Sequence, residues 1–482
     1  MRNKKNNFEI YDKINRDLSV VLNKFIKNNK NNLILQHEKI DLTKEYKNHL
    51  YTKIIQENVF NNFYFDLTND NLKKKYFVTS LEKKNILKEI FKLNKINNIK
   101  IKVLKNFYKK KYIIKLLYWI LSNLNLKKVN IPKDKKKYFC LSNHKKYKSF
   151  FKELFDEKLL YISGLNYLSF FLKVIVNGEF YQKKKVKKDK INYYYFQKHF
   201  IKRKIYEYEL SKYNFKKIIY FEGDSPDHSL ISELGKRRGL KSFCIQWGGI
   251  LFNKPKLPFQ NLSCDYFFCW GKNYEKIMKK YNKNTIFYDV GNPFLVEKKS
   301  LTKKRIIILV PQKGILFNGE FKNKYFLLLK WLIKEYKNLI QIKLHPIELT
   351  NSELTKENKI SQRNFVPSKK NLYEVLNVYS IIIGSCSSAL LEASRVGLMP
   401  ILYIPDKNSK HLWSKTINRL KRINNFNLLT DNLDHIKKTV SIMMKRNNDD
   451  EILKIKKIFS SEISLVGKKS KKKLNNKINS IL

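Results

Sequence analysis

The sequence has few cysteines, and they are scattered. The five of them are Cys140, Cys244, Cys264, Cys269 and Cys386. Their spacing matches neither a zinc site nor a disulfide framework. This pattern favours a reducing cytosol.

Long apolar runs are also missing. The longest weakly charged stretches span 113–126 and 159–172, and each is shorter than the about 20 residues that a membrane-spanning helix needs. Residues 1–20 contain no apolar segment of signal-peptide type. We therefore expect a cytoplasmic protein, with peripheral contact to the inner face of the cytoplasmic membrane as the closest approach to lipid.

Acidic residues are scarce: 41 of them face 100 lysines and arginines, which gives a formal net charge of +59. Lys and Asn abound together with Ile, Tyr and Phe along the whole chain, as compositional drift in an AT-rich genome would produce. A nucleic-acid surface would need a localised basic stripe with interleaved aromatic residues, and the lysines are too evenly spread for that. We expect no nucleic-acid partner, whereas a basic surface suits an anionic membrane leaflet.

What is present is an alternation of strand and helix signals from about residue 135 onward. Residues 216–248 show it best, with an apolar run, an amphipathic stretch and a second apolar run. Ser225 is a good N-cap, Pro226 suits the first helical position, and Gly239 lies where a C-cap belongs. Strands that alternate with helices of this length indicate βαβ units and a parallel sheet.

A second series of this kind follows a turn-rich, charged linker at 291–304. The predicted fold class is α/β, with two Rossmann-like doubly wound domains facing a cleft, an extra N-terminal mixed segment and a helical C-terminus. The predicted limits are 1–130 for the N-terminal segment, 131–295 for an acceptor-side domain, and 296–482 for a nucleotide-donor domain with a helical tail.

Three strand ends in the second series carry polar groups, and ligands of open parallel sheets bind beyond the carboxyl ends of the strands. "IKLHP" ends in His345 and Pro346, and the proline would turn the histidine toward the crevice. "VPQKG" ends in Lys313 and Gly314, where a turn could pass under a diphosphate. As single features, these residues have structural explanations as well.

The stretch "GSCSSALLEAS" is the third of these strand ends. A small-residue turn precedes a helix whose free N–H groups favour an anion. Glu392 lies four residues after Ser388 on the same helix face, where it could hold ribose hydroxyls. The simpler interpretations are that the serines only cap the helix and that Glu392 faces solvent. The candidate phosphate-binding residues of this turn are Gly384, Ser385, Ser387 and Ser388.

"KLHP" and "GSCSSALLEASRVGLMPILY" together resemble the HP and serine motifs of GT-B-fold transferases that build bacterial surface polysaccharides. These include sialic and polysialic acid transferases, Kdo-type capsule transferases and CDP-glycerol glycerophosphotransferases. The likeness covers roughly 205–405. By this resemblance His345, Ser387 and Ser388 would hold the nucleotide phosphate of the donor, and Glu392 its ribose.

The same resemblance places an acidic-Gly pair at the matching strand end of the first series, where the carboxylate acts as base on the acceptor hydroxyl. Here "YFEGDSPDH" offers Glu222 and Asp224, with His228 as a substitute for the histidine of related enzymes. A structural turn or cap is the alternative explanation for these residues. Related enzymes often have a histidine where this chain has Trp247, after Gln246. Those two residues would then stack on a sugar or nucleobase, and the departure weighs against glycerophosphate transfer.

The predicted function is a GT-B-type glycosyltransferase for a capsule or O-antigen type polysaccharide, with no metal and no cofactor. Its donor would be a CMP-, CDP- or UDP-linked sugar, and its acceptor a glycan or a lipid-linked glycan. Three alternatives stay open: a sugar-nucleotide 2-epimerase of the same fold, a CDP-glycerol-type glycerophosphotransferase, and a catalytically silent binding homologue.

Overall fold

The structure is a computed structural model. It describes the following residues: 10–33, 35–37, 40–55, 63, 72, 75–78, 81–97, 99–103, 138–141, 145–155, 160–163, 193–212, 214–248, 255–296, 304–311, 319–344, 360–367, 370, 372–385, 387–405, 426 and 428–481.

The N-terminal segment forms a small unit with its own core. Its main helix buries apolar side chains three or four positions apart, such as Ile14, Leu18 and Leu22, which is the spacing of one helix face. Leu257, from the part of the chain that forms the first large sheet, joins this core. The elements of the unit are α1 (Ile10–Asn28), β1 (Gln36–His37), β2 (Ile40–Asp41), α2 (Thr43–Ile55), β3 (Lys75–Val78), α3 (Leu81–Leu93) and β4 (Lys100–Val103).

A six-stranded, fully parallel sheet follows, called here the first sheet. Its strand order is β10-β9-β8-β7-β5-β6. The strand sequence "KIIYF" is buried at every position, as expected for a parallel sheet covered on both faces. Its elements are β5 (Tyr138–Leu141), α4 (Lys145–Leu154), β6 (Leu160–Ser163), α5 (Tyr193–Lys212), β7 (Lys217–Phe221), α6 (Pro226–Lys236), β8 (Lys241–Ile245), β9 (Tyr266–Cys269), α7 (Lys272–Lys279) and β10 (Ile286–Asp289).

The second sheet has five parallel strands in the order β12-β11-β13-β14-β15. Its central strands, "IIILV" and "IIIG", are almost wholly buried. Its elements are β11 (Ile306–Val310), α8 (Gly319–Tyr336), β12 (Ile340–Leu344), α9 (Leu372–Val375), β13 (Ile381–Gly384), α10 (Ser388–Val396), β14 (Met399–Tyr403), β15 (Leu429–Thr430), α11 (Leu433–Lys445) and α12 (Asp449–Ile458).

After α12 the chain returns to the first sheet. This return segment, residues 461–467, is hydrogen-bonded to the residues that follow β9 and β10: Ser464 N–H donates to the Trp270 carbonyl and Asn292 N–H to the Leu465 carbonyl, both at 2.9 Å. The last helix, α13 (Gly467–Ser480), then packs on the first sheet through Leu474 and Ile478.

The α/β fold class with parallel sheets is confirmed by these two sheets, and the N-cap at Ser225 by its bond from Asp227 N–H. The domain limits stay a prediction, and α13 contacts the first sheet although it follows the second in the chain. Across the described residues, the structure contains no helix that is both long enough and apolar enough to cross a membrane.

The contact of α13 with the first sheet yields a stability prediction. Leu474 is fully buried there, whereas Leu453 on α12 is 63% exposed. Leu474→Ala should lower the free energy of unfolding by about 2–5 kcal/mol, because it leaves a cavity under the helix. Leu453→Ala is the matched control and should change it by less than about 0.5 kcal/mol. Urea denaturation would measure both, and equal effects would contradict this packing.

Candidate functional site

The strand orders mark one place on each sheet where a ligand can sit. In the first sheet the winding direction reverses between β5 and β7, and in the second between β11 and β13. At such a switch point the connections leave in opposite directions and open a crevice beyond the carboxyl ends of the strands. Glu222 directly follows β7, and Ser385 directly follows β13. Both predicted motifs therefore border a crevice.

The acidic turn, residues 222–224, has an unusual backbone at the first switch point. Glu222 has φ 71° and Gly223 φ 85°, and Gly223 N–H donates to the Phe221 carbonyl at 2.9 Å. A three-residue turn with positive φ at its centre is rare and strained. Gly223 admits no side chain, since a Cβ there would lie 2.9 Å from Cys244 Sγ. Such strain is concentrated at functional sites.

Asp224 is the carboxylate of this turn with the shifted pKa. Burial, the main cause, and the neighbouring Glu222 carboxylate together raise its pKa to about 6, although the Lys256 ammonium opposes the rise. A carboxylate with this pKa is ionised at neutral pH, yet it is more basic than an ordinary aspartate. That is the property needed to take a proton from a hydroxyl group.

His228 has a structural task in α6. Its Nδ1 accepts a hydrogen bond from Ser225 N–H at 3.2 Å, which completes a capping box. Its ring stacks on the Tyr220 ring at 4.5 Å. Burial lowers the pKa of His228 to about 4, so the ring is neutral at physiological pH. This geometry favours the acidic turn over His228 as the proton acceptor.

Gln246 and Trp247 follow β8, beside the acidic turn, and they do different things. The Gln246 side chain donates to the Gly248 carbonyl and accepts from Trp270 N–H, both at 2.9 Å. Its amide therefore supports the loop, while the half-buried Trp247 ring lies in a cluster of aromatic side chains. This aromatic wall consists of Phe150, Phe221, Trp247, Phe294 and Tyr373.

Tyr373 connects the two sheets, because it is the only member of the aromatic wall that belongs to the second-sheet part of the chain. Its ring centroid lies 6.2 Å from that of Phe294 and 6.3 Å from that of Trp247. The carboxyl ends of both sheets therefore border one shared space. Nothing in the motifs of the sequence indicated Tyr373, although it precedes β13 by only a few residues.

The serine turn, residues 384–388, leads from β13 into α10. Ser387 is the N-cap, and its hydroxyl accepts a hydrogen bond from Ala389 N–H at 3.2 Å. The interpretation of Ser387 as a helix N-cap is therefore correct. Ser385 and Ser388 are half-buried beside the cap. The start of a helix carries a partial positive charge, which favours an anion at this position.

Glu392 lies one turn into α10 and is buried. Its carboxylate accepts hydrogen bonds from the Tyr373 and Ser388 side chains, which lower its pKa, but burial outweighs them and raises the pKa to about 7. The solvent-facing reading of Glu392 is therefore wrong. Through these two bonds Glu392 links the serine turn to the aromatic wall.

Four predicted donor-site residues lie outside the described residues: Lys313, Gly314, His345 and Pro346. The strands that lead to them, β11 and β12, are described, and each ends at the same edge as β13.

The raised pKa of Glu392 makes stability depend on pH. A carboxyl with folded-state pKa of about 7 and an ordinary unfolded value binds its proton more tightly when folded. This contribution is complete below about pH 4.5 and is lost as pH rises through 7. Glu392→Gln keeps both hydrogen bonds without a charge. The difference in unfolding free energy, variant minus wild type, should increase by on the order of 3 kcal/mol between pH 5 and pH 8.

Urea denaturation at the two pH values would measure this difference. Glu374→Gln, at an exposed position of α9, is the matched control and should show no such change. A pH-independent difference for Glu392→Gln would contradict a buried carboxyl at this position.

The sequence matches no protein-family model and no curated protein. A putative UDP-N-acetylglucosamine 2-epimerase from Listeria monocytogenes is similar in fold, with TM-score 0.44, 11% identity, and 72% of this chain and 96% of that chain covered. The wall teichoic acid polymerase TagF has TM-score 0.42 and 12% identity, over 77% of this chain and 98% of that chain. The lipopolysaccharide outer core galactosyltransferase WaaB has TM-score 0.35 and 12% identity, over 72% of this chain and 100% of that chain. At this level of similarity no family is assigned to the chain.

Proposed function

We propose that this protein is a GT-B-type glycosyltransferase that uses a nucleotide-activated sugar to build a cell-surface polysaccharide. One observation supports this most. The switch points of the two sheets carry complementary chemistry, a strained acidic turn on one and an anion-attracting helix start on the other. The aromatic wall joins the two edges across one space. Transfer of a sugar from a phosphate leaving group needs a base and an anion pocket on opposite sides of one space.

On the donor side, the serine turn would bind the nucleotide phosphates. Small side chains at Gly384, Ser385 and Ser388 let a phosphate approach the N–H groups of α10, and the Ser387 hydroxyl adds a donor, while the Ser388 hydroxyl donates to Glu392. We assign further phosphate contacts to Lys313, Gly314, His345 and Pro346 on the strength of the sequence resemblance. The negative charge that develops on the leaving phosphate would be stabilised there.

On the acceptor side, Asp224 would act as the general base, with its pKa kept high by burial and by the Glu222 charge. The Asp224 carboxylate takes the proton of the acceptor hydroxyl while that oxygen bonds to the anomeric carbon of the donor sugar. The bond from the anomeric carbon to the phosphate oxygen breaks, and the nucleotide leaves with the electron pair. Trp247 would line the sugar side of this space, with Gln246 holding its loop in place.

The donor would be CMP-, CDP- or UDP-linked, and the acceptor a glycan or a lipid-linked glycan. The chain would work in the cytoplasm, at the inner face of the cytoplasmic membrane. An epimerase of the same fold would change the nucleotide sugar without any acceptor. Incubating the protein with nucleotide sugar alone therefore separates the two functions, because only the epimerase yields a new nucleotide sugar.

Nucleotide binding is the first test of this proposal. Thermal unfolding with CMP, CDP, UDP and GDP should show stabilisation by one of them. The double variant Ser387→Ala/Ser388→Ala should lose it, because the phosphate loses the Ser387 donor, and the helix start loses its cap and the Ser388 bond to Glu392. Ser460→Ala, at an exposed position, is the matched control and should keep the full shift. A well-folded wild type that no nucleotide stabilises would contradict the donor site.

The base is tested separately from binding. Asp224→Asn should keep the stabilisation by nucleotide, because the side chain lies on the acceptor side. It should slow acceptor-dependent release of free nucleotide from the nucleotide sugar by about 100-fold or more, the usual contribution of a general base. Asp227→Asn is the control and should release nucleotide at the wild-type rate, because the Asp227 carboxylate is paired with Lys202 Nζ at 2.5 Å and is not the proposed base. Full activity of Asp224→Asn would move the role to Glu222.

A further inference from the structure

The last helix, α13, carries charge of one sign only. It contains six lysines and no acidic residue, whereas every other described α-helix contains at least one Asp or Glu. The helix is therefore the most one-sided in charge among those that the structure describes.

The six lysines divide into two groups by what they touch. Lys471 Nζ donates to the Glu153 carbonyl, and Lys477 Nζ lies 4.2 Å from the centre of the Tyr288 ring. These two hold the helix to the first sheet, together with the buried Leu474 and Ile478. The others form an exposed lysine face on the opposite side of the helix, in its first two turns: Lys468, Lys469, Lys472 and Lys473.

This arrangement opposes the stability of the helix itself. Lys468 and Lys472, like Lys469 and Lys473, are four residues apart, and like charges at that spacing repel. Lys468 and Lys469 also lie in the first turn, where the helix dipole disfavours cations. Val466, the N-cap residue, makes no side-chain cap. An anionic surface bound at the lysine face would neutralise both kinds of repulsion.

The lysine face also has a definite position relative to the site. Gly467 N–H, at the start of α13, donates to the carbonyl of Asn292, which follows the carboxyl end of β10. At the other end, Tyr138 Oη donates to Asn479 Oδ1 at 2.7 Å, beside the amino end of β5. The helix thus runs from the carboxyl edge of the first sheet to its amino edge. Its lysine-rich half lies at the edge that carries the acidic turn.

We propose that the lysine face of α13 is the surface by which this protein binds anionic phospholipid headgroups, with the acceptor side of the cleft held at the level of the bilayer surface. The proposal rests on the proposed function only for the lipid-linked nature of the acceptor. Each lysine near an anionic leaflet adds to the attraction. No apolar side chain is exposed between the four lysines, so the contact is electrostatic and sensitive to salt.

A lipid surface fits this face better than a nucleic acid does. The lysine face has no exposed aromatic residue on which bases could stack and no arginine for paired contacts to bases. Four ammonium groups over two helical turns present a small array of point charges, which suits the closely spaced phosphates of a leaflet.

The test is co-sedimentation with vesicles of phosphatidylglycerol and phosphatidylcholine, and with vesicles of phosphatidylcholine alone. The full chain should bind only the first kind, and 0.5 M salt should release about nine tenths of it. Replacing Lys468, Lys469, Lys472 and Lys473 by Gln should lower binding by about tenfold or more. Replacing the same four by Arg should restore it, because the charge is kept.

The matched control removes the same charge elsewhere. Lys438, Lys445, Lys454 and Lys457 are exposed on α11 and α12, and their replacement by Gln should leave vesicle binding within about twofold of wild type. Equal loss in both Gln variants would overturn the proposal, since net charge alone would then explain binding. No binding of wild type to anionic vesicles, or preferential binding to RNA, would overturn it as well. Stabilisation by nucleotide, measured on the same variants, should be unchanged, so failure here is distinct from failure of the donor site.

Discussion

The geometry of the whole site depends on one close backbone contact, where the return segment crosses the carboxyl edge of the first sheet. Gly291 has φ 85°, and a Cβ there would lie 2.2 Å from the Leu465 carbonyl oxygen, so only glycine fits. Arg395 of α10 binds the same segment, with Nε donating to the Ile463 carbonyl at 2.6 Å. Since α10 begins at the serine turn, this crossing ties the anion-attracting helix to the sheet that carries the acidic turn.

The same physical effect shifts the pKa of one carboxyl group at each of the two edges joined in this way. Asp224 and Glu392 both have a raised pKa, and burial is the main cause in each case. The large positive charge of the chain does not determine either value, although Lys256 opposes the shift at Asp224. The groups nonetheless serve different ends, because Asp224 borders the crevice whereas the Glu392 carboxylate already accepts bonds from two side chains. Glu392 therefore links Ser388 and Tyr373, and its contact with a donor ribose stays a prediction.

The sequence-based predictions that the structure confirms all rest on local patterns. The alternation of apolar runs and amphipathic stretches, and the cap at Ser225, need only neighbouring residues to be recognised. Tyr373 was missed because α9 has four residues and its ring acts through contacts distant in sequence. The place of α13 was missed for a similar reason. Its buried positions, Ser470, Leu474 and Ile478, form a narrow stripe in a highly charged helix, and no local pattern tells which surface covers them.

The path of the return segment also bears on the order in which the protein can fold during synthesis. The first sheet precedes the second in the chain, yet part of its core is supplied by α13, which the ribosome makes after all strands of both sheets. Domains usually fold as units, with the N-terminal one first. Here one face of the first sheet, which α4 covers in part, stays incompletely covered until α13 emerges, while the second sheet already has its own helices. The core of the first sheet can therefore be completed only after the second sheet has been translated.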